Sequence, residues 1–202
     1  MKVLHVYRTF FPDTQGGLEE VMRQICLNAR TLGVVSRVFA LSRQPEPARL
    51  EVDGIEVVRV KQSFEIASCG FCFAGIGEFR RQVEWADVVH YHFPWPWGDV
   101  MDLLAGQGRA SVVTYHSDIV RQQTLQHLYR PLMHRFLGSA TRIVATSPNY
   151  YATSDVLSRF SGKVSIIPIG IDEASYPAIA ASEAMLEQTR SRYGEGFFLF
   201  VG

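Results

Sequence analysis

The first 32 residues contain a unit that leaves this chain few choices of fold. Lys2, Val3, Leu4, His5, Val6 and Tyr7 form a short apolar run of β-favouring side chains, the composition of a strand buried on both faces of a parallel sheet. From Leu18 the apolar residues recur at Leu18, Val21, Met22, Ile25, Ala29 and Leu32. That spacing defines one face of a helix, and Gly33 supplies its stop. A strand followed by a helix returns to its sheet through a crossover, so a chain that repeats the unit builds a parallel α/β sheet. A strand this close to the terminus is expected mid-sheet.

The unit does repeat. Runs at 36–41, 55–60, 87–91, 110–115, 142–145 and 164–167 read as strands. Residues 44–54, with Pro45, Pro47 and Asp53-Gly54, read as a loop and turn, and 61–83 as a loop plus helix. A short helix is expected over 100–105. Another carries Leu125, Leu128, Leu132, Phe136 and Leu137 on one face, and Pro131 is expected to kink or divide it. Thr146-Ser147-Pro148 caps a helix running to about residue 160. After Pro168-Ile169-Gly170-Ile171-Asp172 the pattern changes to a connector, an amphipathic helix at 182–193 and a strand-like run at 197–201 with no partner in its own unit. The expected division is a domain over 1–175, then residues 176–202 as connector and first strand of a second domain.

Lys plus Arg and Asp plus Glu both number 20. Such a chain has no global basic field to favour nucleic acid, and an anionic partner must be held locally. No run reaches the roughly 18 apolar residues of a membrane span, no cleavable leader precedes the first strand, and three cysteines do not make a secreted disulfide framework. The expected location is the cytoplasm. Cys69 and Cys72 form a C-x-x-C without a second pair, so neither a zinc site nor a redox pair is favoured. The apolar stretch from Ile66 to Ile76, flanked by Arg80 and Arg81, could meet a membrane surface or pack inward.

In open parallel sheets ligands gather beyond the carboxyl ends of the strands. Three groups are expected there. Gly16 and Gly17 open the first helix, either as a tight turn or as bare backbone that a phosphate can approach. His92-Phe93-Pro94-Trp95-Pro96-Trp97 follows one strand, where Trp95 and Trp97 could be a stacking platform or ordinary packing. His116-Ser117-Asp118 follows another: His116 can point at hydroxyls or phosphates and Asp118 can orient it, or both can be satisfied locally. Ser147 opens a further helix. No G-x-G-x-x-G occurs, and the second strand ends in Ser42-Arg43 rather than an acid, which argues against a dinucleotide.

Taken in order, the first strand with Gly16-Gly17, Val-Thr-Tyr-His116-Ser-Asp118, Ala-Thr-Ser147-Pro, Ile-Pro-Ile-Gly170-Ile-Asp172 and Phe-Leu-Phe-Val-Gly202 resemble the N-terminal half of the retaining GT-B glycosyltransferases of family 4. The resemblance spans the whole chain. It implies a Rossmann-like parallel sheet with helices on both faces, one of two domains that face a cleft. It further implies transfer of a hexose from a nucleotide sugar, GDP-mannose-like or a UDP-sugar, to a lipid-linked or polysaccharide acceptor with retention of configuration. No cofactor and no metal are expected. By the resemblance His116 is catalytic, Gly16, Gly17 and Ser147 lie on the donor or phosphate side, and Asp118, His92 and Trp95 contact sugar or acceptor. The family's paired glutamates would lie beyond Gly202, so the chain alone is expected to be inactive, with the whole protein at the inner face of a membrane. The rivals are a nucleotide-sugar epimerase of the same architecture, a non-catalytic glycan or nucleotide-binding module and, against the missing fingerprint, a dehydrogenase.

Overall fold

The computed structural model describes residues 1–106, 108–118, 123–172, 182–196 and 198, without the side chains of 123–128. The chain divides after Gly170, five residues before the expected boundary.

In the first unit β1 (Lys2–Val6) leads through the glycine pair into α1 (Gly17–Thr31) and then β2 (Val35–Ser42). β3 (Arg49–Val52) and β4 (Ile55–Lys61) follow, then the short strands β5 (Phe64–Ile66) and β6 (Cys69–Phe71). α2 (Ile76–Trp85), β7 (Val88–Phe93), α3 (Pro96–Ala105) and β8 (Ala110–Tyr115) continue the alternation. It closes with α4 (Gln123–Ser139), β9 (Arg142–Ala145), α5 (Pro148–Thr153), α6 (Asp155–Ser158), a 3-10 turn at Ser161–Lys163 and β10 (Val164–Ile166).

Eight strands form one sheet in the order β10-β9-β8-β7-β1-β2-β4-β3. All neighbours are parallel except β3 and β4. β1 lies mid-sheet, and its last four residues are buried in succession, as a strand covered on both faces requires. The chain winds outward from β1 through β2 and β4, then returns to add β7 on β1's other side. The β1/β7 seam is therefore the switch point, where loops leaving adjacent strands diverge and open a crevice.

Three expectations are corrected. The loop at 44–54 contains edge strand β3, because Asp53 and Gly54 both take positive φ, 51° and 74°. That pair makes the tight turn a two-residue hairpin demands. The stretch 61–83 holds an antiparallel hairpin, β5–β6, ahead of its helix. α3 begins at Pro96, before residue 100, since proline at the first helical position gives up no needed hydrogen bond. Pro131 lies inside α4 without dividing it.

In the second unit α7 (Glu183–Tyr193) is capped by Ser182, whose side chain accepts from the Met185 N–H. None of its residues is buried. The expected strand at 197–201 lies outside the described residues apart from Phe198.

Candidate active site

The carboxyl edge at the β1/β7 seam holds a cluster of imidazoles. Alternation along a strand puts His90 and His92 on one face of β7, and the register pairs His5 of β1 with His90. Thr114 of β8 lies beside His92. The His116 N–H donates to the Phe93 carbonyl at 3.0 Å, which carries the β7/β8 pairing past the strand end and sets His116 next to His92. His92 Nδ1 and His116 Nε2 are hydrogen-bonded at 3.1 Å, and His5 Nδ1 meets His92 Nε2 at 3.4 Å. His90 Nε2 is bonded to Thr114 Oγ1 at 2.7 Å.

Burial keeps these rings uncharged. Desolvation pushes His5 and His116 down to about 4. His90 and His92 fall well below the usual histidine value through burial and then through repulsion from the neighbouring imidazoles. His5 and His92 are 1% exposed, whereas His116 is partly exposed. Among the described residues, His116 Nδ1 has no hydrogen-bond partner.

Nitrogens of His5, His90 and His92 lie within 4.8 Å of one another, close enough for three ligands of one metal ion. Their orientation suits a stack instead. His92 is stacked on both His90 and His5, with interplanar angles of 30° and 28°. Two of those nitrogens are already engaged, His90 Nε2 with Thr114 and His5 Nδ1 with His92 Nε2.

The other expected site residues fare differently. Asp118 does not orient His116: its carboxylate accepts from Tyr115 at 2.7 Å, Tyr150 at 2.8 Å and Ser154 at 3.3 Å. It ties the end of β8 to α5 and α6. Ser147 is the α5 N-cap and accepts from the Tyr150 N–H at 3.1 Å, which leaves its hydroxyl proton available. His92 is too deeply buried to touch a sugar. Trp95 and Trp97 are no platform, because both are buried and each indole is spent on the β5–β6 region. Trp95 Nε1 donates to the Gly70 carbonyl at 3.0 Å and Trp97 Nε1 to Cys72 Sγ at 3.4 Å. A Cβ at Gly70 would come within 2.9 Å of Leu41, so glycine allows that close packing. Cys69 and Cys72 are free thiols, and burial pushes Cys72 up to about 11, away from thiolate chemistry.

Gly16 and Gly17 are exposed at the start of α1. Open space surrounds the position of a Gly17 Cβ, whereas a Gly16 Cβ would press on the Glu19 carboxylate at 2.8 Å. Glu19 folds back over the first turn and accepts from Thr14 Oγ1 at 2.8 Å. An incoming phosphate must share this helix end with that carboxylate. Arg8, just past β1, was absent from the expected site; its guanidinium donates to the Ser68 carbonyl in the hairpin turn. His5 and His90 were also missed, although H-x-H on a strand is a legible sign of two histidines on one face.

The mostly parallel sheet with its central switch point makes this an α/β Rossmann-like fold, and the solved structures that superpose on it are GT-B glycosyltransferases. Sucrose-phosphate synthase from Thermosynechococcus elongatus superposes with a TM-score of 0.62 over 92% of this chain and 52% of that one, at 16% identity. Anabaena Alr3699/HepE, solved with UDP and glucose, superposes at 0.60 over 96% of this chain and 50% of that one, also at 16% identity.

Residues 15–175 match the family model described as Glycosyltransferase Family 4, and the chain belongs to that family. It is 46% identical over all 202 residues to the D-rhamnosyltransferase WbpZ of Pseudomonas aeruginosa, covering 52% of that protein. It is 40% identical, again over its full length, to the O-antigen chain mannosyltransferase C of Escherichia coli, covering 54% of it. The chain thus spans about half the length of these curated relatives.

Proposed function

We infer that this chain is the acceptor-side domain of a retaining glycosyltransferase that moves a hexose from a nucleotide sugar, GDP-linked or UDP-linked, to a lipid-linked or polysaccharide acceptor. The observation that carries this reading is His116: a partly exposed imidazole at the switch point, held from behind, with Nδ1 unpartnered among the described residues. Nδ1 meets a hydroxyl of the transferred sugar. The ring is uncharged at neutral pH because desolvation pushes its pKa to about 4. A neutral imidazole orients the sugar without setting a full positive charge beside an anomeric carbon that itself becomes positive as the leaving group departs. The departing phosphate takes the acceptor's proton, so the chemistry calls for no metal, no cofactor and no general base from this domain.

Gly16, Gly17 and the Ser147 hydroxyl face the phosphate side, and Asp118 ties the end of β8 to α5 and α6. The acceptor side includes the β5–β6 hairpin, where Phe64, Ile66 and Phe73 are 41, 58 and 55% exposed. Apolar side chains on a surface hairpin suit a lipid-linked acceptor at a membrane face. Among the described residues no helix is long and apolar enough to cross a membrane. The two curated relatives, a mannosyltransferase and a D-rhamnosyltransferase, favour mannose or a related hexose.

Calorimetric titration of UDP, GDP and NAD into this chain, and into the polypeptide extended to its relatives' length, tests the reading. Tight binding of one nucleoside diphosphate by the longer polypeptide, with weak binding and no transfer by the shorter, is expected. NAD binding to this chain would overturn it.

A further inference from the structure

Behind His116 two buried imidazoles run in series with it. His5 Nδ1 faces His92 Nε2, and His92 Nδ1 faces His116 Nε2. A neutral imidazole carries one N–H donor and one acceptor nitrogen. The direction of one bond therefore dictates the next. If His5 donates from Nδ1, His92 accepts at Nε2 and donates from Nδ1; His116 then accepts at Nε2 and carries its own proton on Nδ1. Run in reverse, the series has His116 donating inward, with a bare, accepting Nδ1 outward.

We propose that His92 is a positioning residue for His116, and that His5, His92 and His116 act as one tautomeric unit deciding whether His116 Nδ1 offers a sugar hydroxyl a donor or an acceptor. The proposal rests on the reading of His116 as the sugar-facing group. Two exclusions sharpen it. Asp118, the nearby carboxylate in sequence, is committed to Tyr115, Tyr150 and Ser154 and leaves the task to His92. His90 stacks on His92 with centroids 4.5 Å apart, but its Nε2 is taken by Thr114, so it stands beside the series rather than in it. Among the described residues the titratable groups facing His92 are His5, His90, His116 and, edge-on at 6.5 Å, Tyr7. None of them is a carboxylate, so hydrogen-bond direction and not ion pairing sets the tautomer.

Nitrogen NMR of this chain at about pH 7.5, where free histidine is largely neutral, reads the unit directly. One tautomer is expected for His116, with scalar coupling across the His92 Nδ1–His116 Nε2 hydrogen bond. In His92→Phe, His116 should become a tautomer mixture. His92→Asn, which returns a side-chain amide near the lost Nδ1, should restore one form, and His90→Phe should leave His116 as it was. In the longer polypeptide, His92→Phe should lower kcat about 10- to 100-fold while KM for the nucleotide sugar stays within about threefold. His92→Asn should recover much of the loss.

Absent coupling in the unaltered chain, an unchanged His116 tautomer in His92→Phe, or equal disturbance by His90→Phe would overturn the proposal. The unaltered chain supplies the first of these even where a variant does not fold. Expected NMR results together with no sugar transfer would instead sink the reading of His116 while supporting the tautomeric unit.

Discussion

Two regions of this sheet bury titratable groups. At the carboxyl edge stand the histidines of the β1/β7 seam. Toward the amino-terminal ends of β8 and β9, Asp99 and Asp102 line a cavity of about 500 Å³ rimmed by Arg80, Arg109 and Arg135. Burial drives both sets toward neutrality: the histidines go down, and both aspartates go up, Asp99 well above its ordinary value. They differ in how they end. Tyr129 donates to Asp99 and Tyr91 to Asp102 at 2.6 Å, so each acid accepts from a tyrosine while both still line the cavity. The histidine series ends in His116, whose Nδ1 has no hydrogen-bond partner among the described residues. Burial and a shifted pKa mark both regions, so neither feature by itself singles out a ligand site.

The largest effect is expected from the end of the histidine series itself. His116→Ala should lower transfer by the longer polypeptide about 100-fold or more, the scale for losing one preorganised polar group. This chain's circular dichroism should stay unchanged. A loss below about threefold would reduce His116 to the rank of the buried acids.

Asp118→Ala should act oppositely, mainly on stability. It leaves Tyr115, Tyr150 and Ser154 without their shared acceptor, at a cost of about 2 kcal/mol that denaturant titration of this chain can measure. Tyr129→Phe at the other region strips Asp99 of its donor and should cost a similar amount.

The two regions should also pull stability in opposite directions with pH. A folded-state histidine lowered to about 4 from an ordinary 6.5 leaves the unfolded chain binding more protons between those values. Stability is then full above about 6.5 and declines as pH falls toward 4. For His5 alone the total is on the order of 3 kcal/mol. The raised acids run the other way. Above the unfolded aspartate value the folded state holds the extra proton, so their contribution improves as pH falls. His5→Phe should flatten the decline between pH 6.5 and 4, and Asp102→Asn should steepen the net acid-side loss. Urea midpoints measured across that range check both signs, and parallel slopes in the two variants would erase the contrast.

The smallest effect on folding is expected at Gly17. Its Cβ position is open, so Gly17→Glu should shift stability by no more than about 0.5 kcal/mol. Placed beside Glu19, the new carboxylate should nonetheless cut transfer through repulsion of phosphate. Retained activity would make the glycine pair purely structural.

Much of this was legible in the residue order. The strand runs and the α1 stripe follow from local periodicity, and β1's central place was expected from its position so early in the chain. β3 was missed although Asp53-Gly54 announced a turn, because Arg49–Val52 is short, half-polar and gains its strand identity from β4. The β5–β6 hairpin was missed because Gly70 looked like an interruption, whereas its lack of a side chain lets the hairpin pack close to Leu41.

The sequence by itself determined an α/β chain of strand–helix units, which rests on spacing along the chain, and its motifs carried the resemblance to the family it belongs to. Only the tertiary structure decided that Trp95 is buried, that Asp118 serves three hydroxyls rather than His116, and that His5 and His92 stand behind the site. Those outcomes depend on which polar atoms become neighbours across strands. His5 and His92 are 87 residues apart, and a hydrogen bond between them exists only once β7 has returned to lie against β1.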